Sequence, residues 1–134
     1  MIDVLIIDKT DQIKSFLFVP EANVVSFDDE VKALNALENK VSAVVLLNYS
    51  VMQEQTAEYI KVVLKVSSSS KIVVIADELS EEETLNCLLA GAKGYQQLDL
   101  LKDYARKLVT VMDDGEAWIT RRMTATLLDA LRRK

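Results

Sequence analysis

The chain has 134 residues, half of them hydrophobic and 28% charged, enough for one well-formed core but crowded for two. With 16 Lys and Arg against 21 Asp and Glu, its net charge of −5 provides no domain-wide field for nucleic acid or an anionic membrane. Histidine is absent, which removes Ser-His-Asp and Cys-His catalysis and the commonest zinc ligand.

A single cysteine, Cys87, has no partner for an internal disulfide or thiolate cluster, which suits a reducing cytoplasm. The N-terminus carries Asp3 where a secretory signal would be basic. No apolar run nears the roughly 18 residues of a membrane helix. A soluble cytoplasmic protein is expected.

In chain order, Val4 to Ile7, Val24-Val25, Ala43 to Leu47 and Ile72 to Ala76 are short, uninterrupted, β-branched apolar runs. That pattern belongs to parallel strands buried on both faces. Asp11 to Val19 leaves room for about two helical turns before Pro20. Asp28-Asp29-Glu30 opens a helix with Val31, Leu34 and Leu37 inward, and Ala57, Ile60 and Leu64 mark the next.

The four serines Ser67 to Ser70 make a helix-to-strand turn. Ser80 with Glu83 forms a capping-box pattern before the stripe Leu85, Leu88, Leu89 and Ala92, where Cys87 is a small packing residue. A fifth strand is expected at Gly94 to Gln97. From Asp99 a further helix carries Leu101, Tyr104, Ala105, Leu108, Val111 and Met112 to a stop at Gly115.

This alternation predicts an α/β domain, a doubly wound five-stranded parallel sheet with helices on both faces. The five strand–helix units are complete by residue 115. Residues 116–134 form an extra C-terminal helix with Met123, Leu127, Ala130 and Leu131 inward, Trp118 packing it onto the body, and Arg132-Arg133-Lys134 complementing its C-terminus.

Ligands of an open parallel sheet bind at the carboxyl ends of its strands, near the switch in strand order. The residues there are Asp8-Lys9, Asn48-Tyr49-Ser50, Ala76-Asp77 and Leu98-Asp99. Strand-end Asp8, AVVLLN at 43–48, IVVIA at 72–76, LLAGAKGYQQLD at 88–99 and DGEAWIT at 114–120 together resemble a response-regulator receiver domain, which has the flavodoxin-like fold. The AGAKGY and GEAWIT segments are similar to the NarL/LuxR (FixJ) type, whose receivers precede a helix-turn-helix DNA-binding domain. On that resemblance residues 1–115 are a receiver-like domain and 116–134 a linker helix. DNA would be contacted only through a domain beyond it.

The resemblance implies phosphoryl transfer from a histidine kinase to an Asp ending the third strand. Mg²⁺ is held there by that Asp and an acidic pair after the first strand. A hydroxyl after the fourth strand and a Lys after the fifth meet the phosphoryl charge. The present chain departs at each place. The acceptor position is Asn48, the acidic pair is Asp8-Lys9, the hydroxyl position is Ala76 and the Lys position is Leu98. Nucleophile, metal ligand, hydroxyl and ammonium are lost together, the pattern of a pseudo-receiver with no catalytic residue, no cofactor and no expected Mg²⁺ site.

The substitutions suggest that the Lys9 ammonium sits near Asp8 and Asn48 in place of the metal. At about 4 Å and an effective dielectric near 20, such a pair gains on the order of 4 kcal/mol before desolvation. Asp8 reads equally as a helix cap or ion-pair partner and as a ligand. Tyr95 occupies the family's switch-aromatic position and reads also as a sheet-edge tyrosine with its hydroxyl in water.

The resemblance, with these departures, implies a non-enzymatic regulatory domain of a LuxR-type transcriptional regulator. It would act through protein partners, with a homodimer through the fourth helix, fifth strand and fifth helix as one form. Two alternatives stay open: a stand-alone adaptor sequestering a kinase or regulator, and a receiver phosphorylated at a non-standard Asp such as Asp77 or Asp99.

Overall fold

The computed structural model describes residues 1–40 and 42–133. Lys134, the last residue of the expected basic helix end, lies outside the described residues. The strands are β1 (Ile2–Ile7), β2 (Ala22–Phe27), β3 (Val44–Asn48), β4 (Lys71–Ala76) and β5 (Gly94–Gln97). Among them run α1 (Gln12–Phe16), α2 (Glu30–Glu38), the short α3 (Tyr49–Met52), α4 (Thr56–Val66), α5 (Glu81–Ala90), α6 (Leu101–Asp113) and α7 (Arg121–Arg132). One-turn 3-10 helices at Gln53–Gln55 and Leu98–Leu100 lead into α4 and α6.

All pairings are parallel, in the order β2-β1-β3-β4-β5, so the order reverses between β1 and β3. The expected doubly wound sheet is present. Alternate strand residues divide between two cores, as a pleated sheet requires. Val4, Ile6, Val44, Leu46, Val73 and Ile75 pack with Ile13 of α1 and the α6 stripe Leu101, Ala105, Leu108, Val109 and Met112. Leu5, Ile7, Val45, Leu47, Ile72 and Val74 pack with Ala33 and Leu37 of α2, Tyr59, Ile60 and Val63 of α4, and Cys87 of α5.

Local chemistry explains the boundaries. Asp29 caps α2 by accepting from the Val31 and Lys32 amides. Ser80 and Glu83 make the expected capping box reciprocally, each bond 3.0 Å. In the serine turn, Ser67 and Ser70 are buried with their hydroxyls 2.7 Å apart, and Ser70 Oγ also accepts the Ala43 amide. Gly115 ends α6 at φ 83°, in the left-handed region that favours glycine.

Four helical stripes are rotated from the sequence reading. Val31 is exposed while Ala33 and Leu37 are buried, because threefold spacing drifts about 60° per step around a helix. The inner face of α4 is Thr56, Tyr59, Ile60 and Val63, with Ala57 and Leu64 at its margins. On α6, Tyr104 is exposed and Val109 turns inward. On α7, Leu131 is exposed, whereas Met123, Leu127 and Ala130 are half-buried against the body.

Trp118 does more than pack a helix. Its backbone extends the sheet: Tyr95 N–H donates to the Trp118 carbonyl (3.2 Å) and Trp118 N–H donates to the Lys93 carbonyl (2.8 Å). Its indole N–H donates to Gln96 Oε1 at 3.0 Å, and its ring lies 6.3 Å from that of Tyr104. Residue 94 is glycine because a Cβ there would stand 2.5 Å from the Trp118 carbonyl oxygen. The second sheet edge is thus capped by the chain itself.

Candidate functional site

The carboxyl ends of β1 and β3 lie side by side at the switch in strand order, and each ends in a buried polar residue, Asp8 and Asn48. Asp8 is 1% exposed. Its Oδ1 accepts from the Thr10 amide (2.9 Å), the Thr10 hydroxyl (2.7 Å) and the Asn48 amide group (3.0 Å). Its Oδ2 accepts from the Ile13 amide at 3.0 Å in the first turn of α1. Asn48 in turn accepts the Ser50 amide on Oδ1 (3.0 Å), capping α3.

Each side chain serves the other. The Asn48 amide presents its N–H₂ to a carboxylate and its carbonyl oxygen to a backbone N–H, an arrangement that an aspartate in the same pose could not reproduce. Among the described residues, no buried side-chain polar atom lacks a hydrogen-bond partner. Asp8 thus accepts amides across the β1–α1 turn, from Thr10 and from Ile13.

Lys9 does not join this pair. Its ammonium lies 3.6 Å from Glu30 Oε2 with the side chain half exposed, so the expected Lys9–Asp8–Asn48 cluster does not form. The reason is local. Asp8 turns inward to be consumed by amides, and the next residue points away toward the start of α2.

Ala76 and Leu98 do come together with Asn48. They line a cleft of about 340 Å³ with Thr10, Gln12, Tyr49, Ser50, Gln53, Asp77 and Glu78. Leu98 is 3% exposed and also belongs to the α6-side core, so its side chain is spent on packing. Asp77 is exposed at the cleft, whereas Asp99 is not among its lining residues.

Several participants gave little sign in sequence. Thr10 had one, since Asp followed two residues later by a hydroxyl residue is an Asx-turn pattern. Gln53 had none: it adopts φ 50°, ψ −124°, a strained conformation for a side chain of its length, and it borders the cleft. On the other side, Asp11 adopts φ 62°, which Asp tolerates better.

Tyr49 links the cleft to α5, its hydroxyl donating to Glu83 Oε2 at 3.2 Å. Burial, reinforced by the Glu83 charge, pushes that hydroxyl's pKa up to about 12. Tyr95 is half-buried in β5. Its pKa is raised by burial and by Asp99, Glu78 and Asp77, while the backbone at Leu79 pulls it the other way. Its backbone N–H is paired with the Trp118 carbonyl.

The receiver domain of RcsB from Salmonella enterica serovar Typhimurium, in its apo form, superposes with a TM-score of 0.80. It is 18% identical, over 96% of this chain and 99% of that one. The signal receiver domain of the putative response regulator NarL from Mycobacterium tuberculosis gives 0.73 at 20% identity, over 86% and 98%. A LuxR family DNA-binding response regulator from Silicibacter pomeroyi gives 0.70 at 20%, over 91% and 99%. The fold is that of response-regulator receiver domains. No protein-family model and no curated protein matches the chain.

The receiver fold raises the question of Mg²⁺, and the donors here do not fit it. A hard dication seeks several anionic oxygens. Both Asp8 oxygens are already engaged by protein donors, the neighbouring position is a lysine, and Asn48 turns its N–H₂ toward Asp8. Among the described residues, no group of three or more acidic or thiol side chains is arranged to hold a metal.

Proposed function

We propose that this chain is a phosphorylation-independent regulatory module on the receiver fold, a pseudo-receiver of the NarL/LuxR type that works through protein–protein contact. The observation that carries the reading is the Asn48–Asp8 hydrogen bond. The place where a receiver needs a nucleophilic carboxylate beside a metal is occupied by a neutral amide serving as donor to the remaining carboxylate. Ala76 and Leu98, at the hydroxyl and lysine positions, supply no group for a phosphoryl oxygen.

On this reading the module is a non-enzymatic cytoplasmic component of two-component-type signalling. It is free of Mg²⁺, and residues 116–134 serve as the linker toward a DNA-binding domain. Control comes from a partner or ligand instead of phosphate. Among the described residues no helix is long and apolar enough to cross a membrane.

The deciding experiment is intact mass after incubation with Mg²⁺ and acetyl phosphate, beside an Asn48→Asp, Lys9→Asp variant. The wild-type mass is expected to stay unchanged. Gain of one phosphoryl group would overturn the reading and send attention to Asp77, which borders the same cleft.

A further inference from the structure

We infer that the cleft between β5, α6 and the segment running from Trp118 to Thr120 is a binding site for a small soluble methylated ammonium compound of the choline type. The inference does not depend on whether the Asn48 site accepts phosphate.

The cleft encloses about 450 Å³, inside the range of about 300–1,000 Å³ usual for small-molecule sites. Two of the four tyrosines, Tyr95 and Tyr104, line it together with the only tryptophan, Trp118. None of its nine lining residues carries a formal charge. Walls of this kind receive either an apolar ligand or an organic cation, and two further observations decide between them.

The ring geometry selects shape. Tyr104 and Trp118 have centroids 6.3 Å apart and planes inclined at 59°. A flat ring system cannot stack on both faces at that angle. A rounded head of methyl groups can touch both, and the π faces attract it further when it is positive.

The fixed charges select sign. Burial raises the pKa of the Tyr95 hydroxyl, and Asp99, Glu78 and Asp77 raise it further, so the formal charges bearing on it are all negative. Among the described residues none of these three acids takes part in an ion pair. Nearby cations face elsewhere. Lys102, Arg106 and Lys107 of α6 line a separate groove beside Phe18, and Arg122 pairs with Glu81. A cation in the cleft therefore meets three aromatic rings and unpaired acids, whereas a zwitterion such as betaine sets its carboxylate against those acids.

The cleft also adjoins the segment that leads to α7. Trp118 is fixed on β5 by two backbone hydrogen bonds and by Gln96, while Tyr104 belongs to α6. A ligand touching both rings fastens residues 117–120 to α6 as well as to β5. That is how a soluble cation reaches the C-terminal helix.

Trp118 is the only tryptophan, so its indole N–H gives a single proton resonance that reports the cleft. Choline chloride is titrated into the full chain at constant ionic strength, beside glycine betaine and the uncharged tert-butyl isostere in which carbon replaces nitrogen. Choline is expected to shift the resonance saturably in the millimolar range, with betaine and the isostere at least about tenfold weaker. Tyr104→Leu, at an exposed position, should weaken choline about fivefold, whereas Tyr104→Phe should retain it. Asp99→Asn should weaken choline and leave the isostere unchanged, which a general loss of structure would not do. No saturable shift, equal binding of the isostere, or full affinity in Tyr104→Leu would overturn the site. Attachment to phosphatidylcholine vesicles with no response to free choline would overturn the soluble ligand in favour of a lipid headgroup.

Discussion

The Asn48 amide stands 3.0 Å from Asp8 Oδ1 across the β1–β3 boundary, donating to a carboxylate that also takes two backbone amides and the Thr10 hydroxyl. The pair converts the most functionally exposed point of the fold, the switch in strand order, into a closed structural joint. The joint carries a single negative charge, on Asp8, only because residue 48 carries none.

Asn48→Asp is therefore expected to destabilise the chain. It removes a buried donor and sets a second anion against Asp8, at a cost of about 2–4 kcal/mol at neutral pH. Two carboxylates in one site push one pKa up. The folded form then holds a proton that the unfolded form has released, so stability is regained as pH falls through the raised pKa and lost as pH rises. Urea unfolding of both proteins at pH 5 and pH 8 reads this directly, and an equal deficit at both would rule out charge repulsion as the cause.

Much of this joint was legible from the residues. Asp8, Asn48, Ala76 and Leu98 were placed at strand ends by apolar runs whose length and β-branching leave little freedom. Asn48, Ala76 and Leu98 do line one cleft. The Lys9 side chain departs from the expected cluster because a strand end fixes where Cα sits but not which partner a long flexible chain chooses, and Glu30 lies within reach. The α2 stripe differs where spacing by three is extended over several turns, as at Val31. Trp118 reads in sequence as a packing residue, but its strand-like pairing with Lys93 and Tyr95 joins positions more than 20 residues apart and leaves no local pattern.

The capping box of α5 has a measurable pH signature. Hydrogen bonds from Ser80, backbone first, hold the Glu83 carboxyl below its ordinary value of 4.5, and Tyr49 adds to this. The depressed folded pKa means that the contribution is fully present above about pH 4.5 and lost as pH falls through the folded value. Ser80→Ala is expected to cost about 1 kcal/mol at pH 7. Glu83→Gln should flatten the acid limb of the stability curve between pH 5 and pH 3. An acid limb identical to wild type would remove Glu83 from the account.

Cys87 should be chemically quiet. It is 3% exposed in the α2–α4–α5 core, and burial with the nearby Glu83 charge pushes its thiol up to about 11. At pH 8 about one molecule in a thousand would carry thiolate, and the side chain is shielded besides. Iodoacetamide is expected to leave native protein unmodified at pH 8 and to label it fully in denaturant. Rapid native labelling would show that α5 opens far more readily than its packing indicates.

Gly94→Ala tests how the C-terminal segment is held. An added Cβ would lie 2.5 Å from the Trp118 carbonyl oxygen and 2.8 Å from its Cβ, and the first of these is backbone, which does not swing aside. The segment must lift, breaking the Tyr95 and Trp118 backbone bonds and the Gln96 contact, for a loss of about 1–3 kcal/mol. Trp118 is the only tryptophan, so its emission reports the event without a label. A shift to longer wavelength is expected in Gly94→Ala, along with faster hydrogen exchange at Tyr95. Gly115→Ala supplies the contrast, because its Cβ would meet open space and its cost is confined to the left-handed φ of 83°. If Gly94→Ala kept wild-type emission while losing as little stability as Gly115→Ala, the close approach of Trp118 to β5 would not be what holds this segment in place.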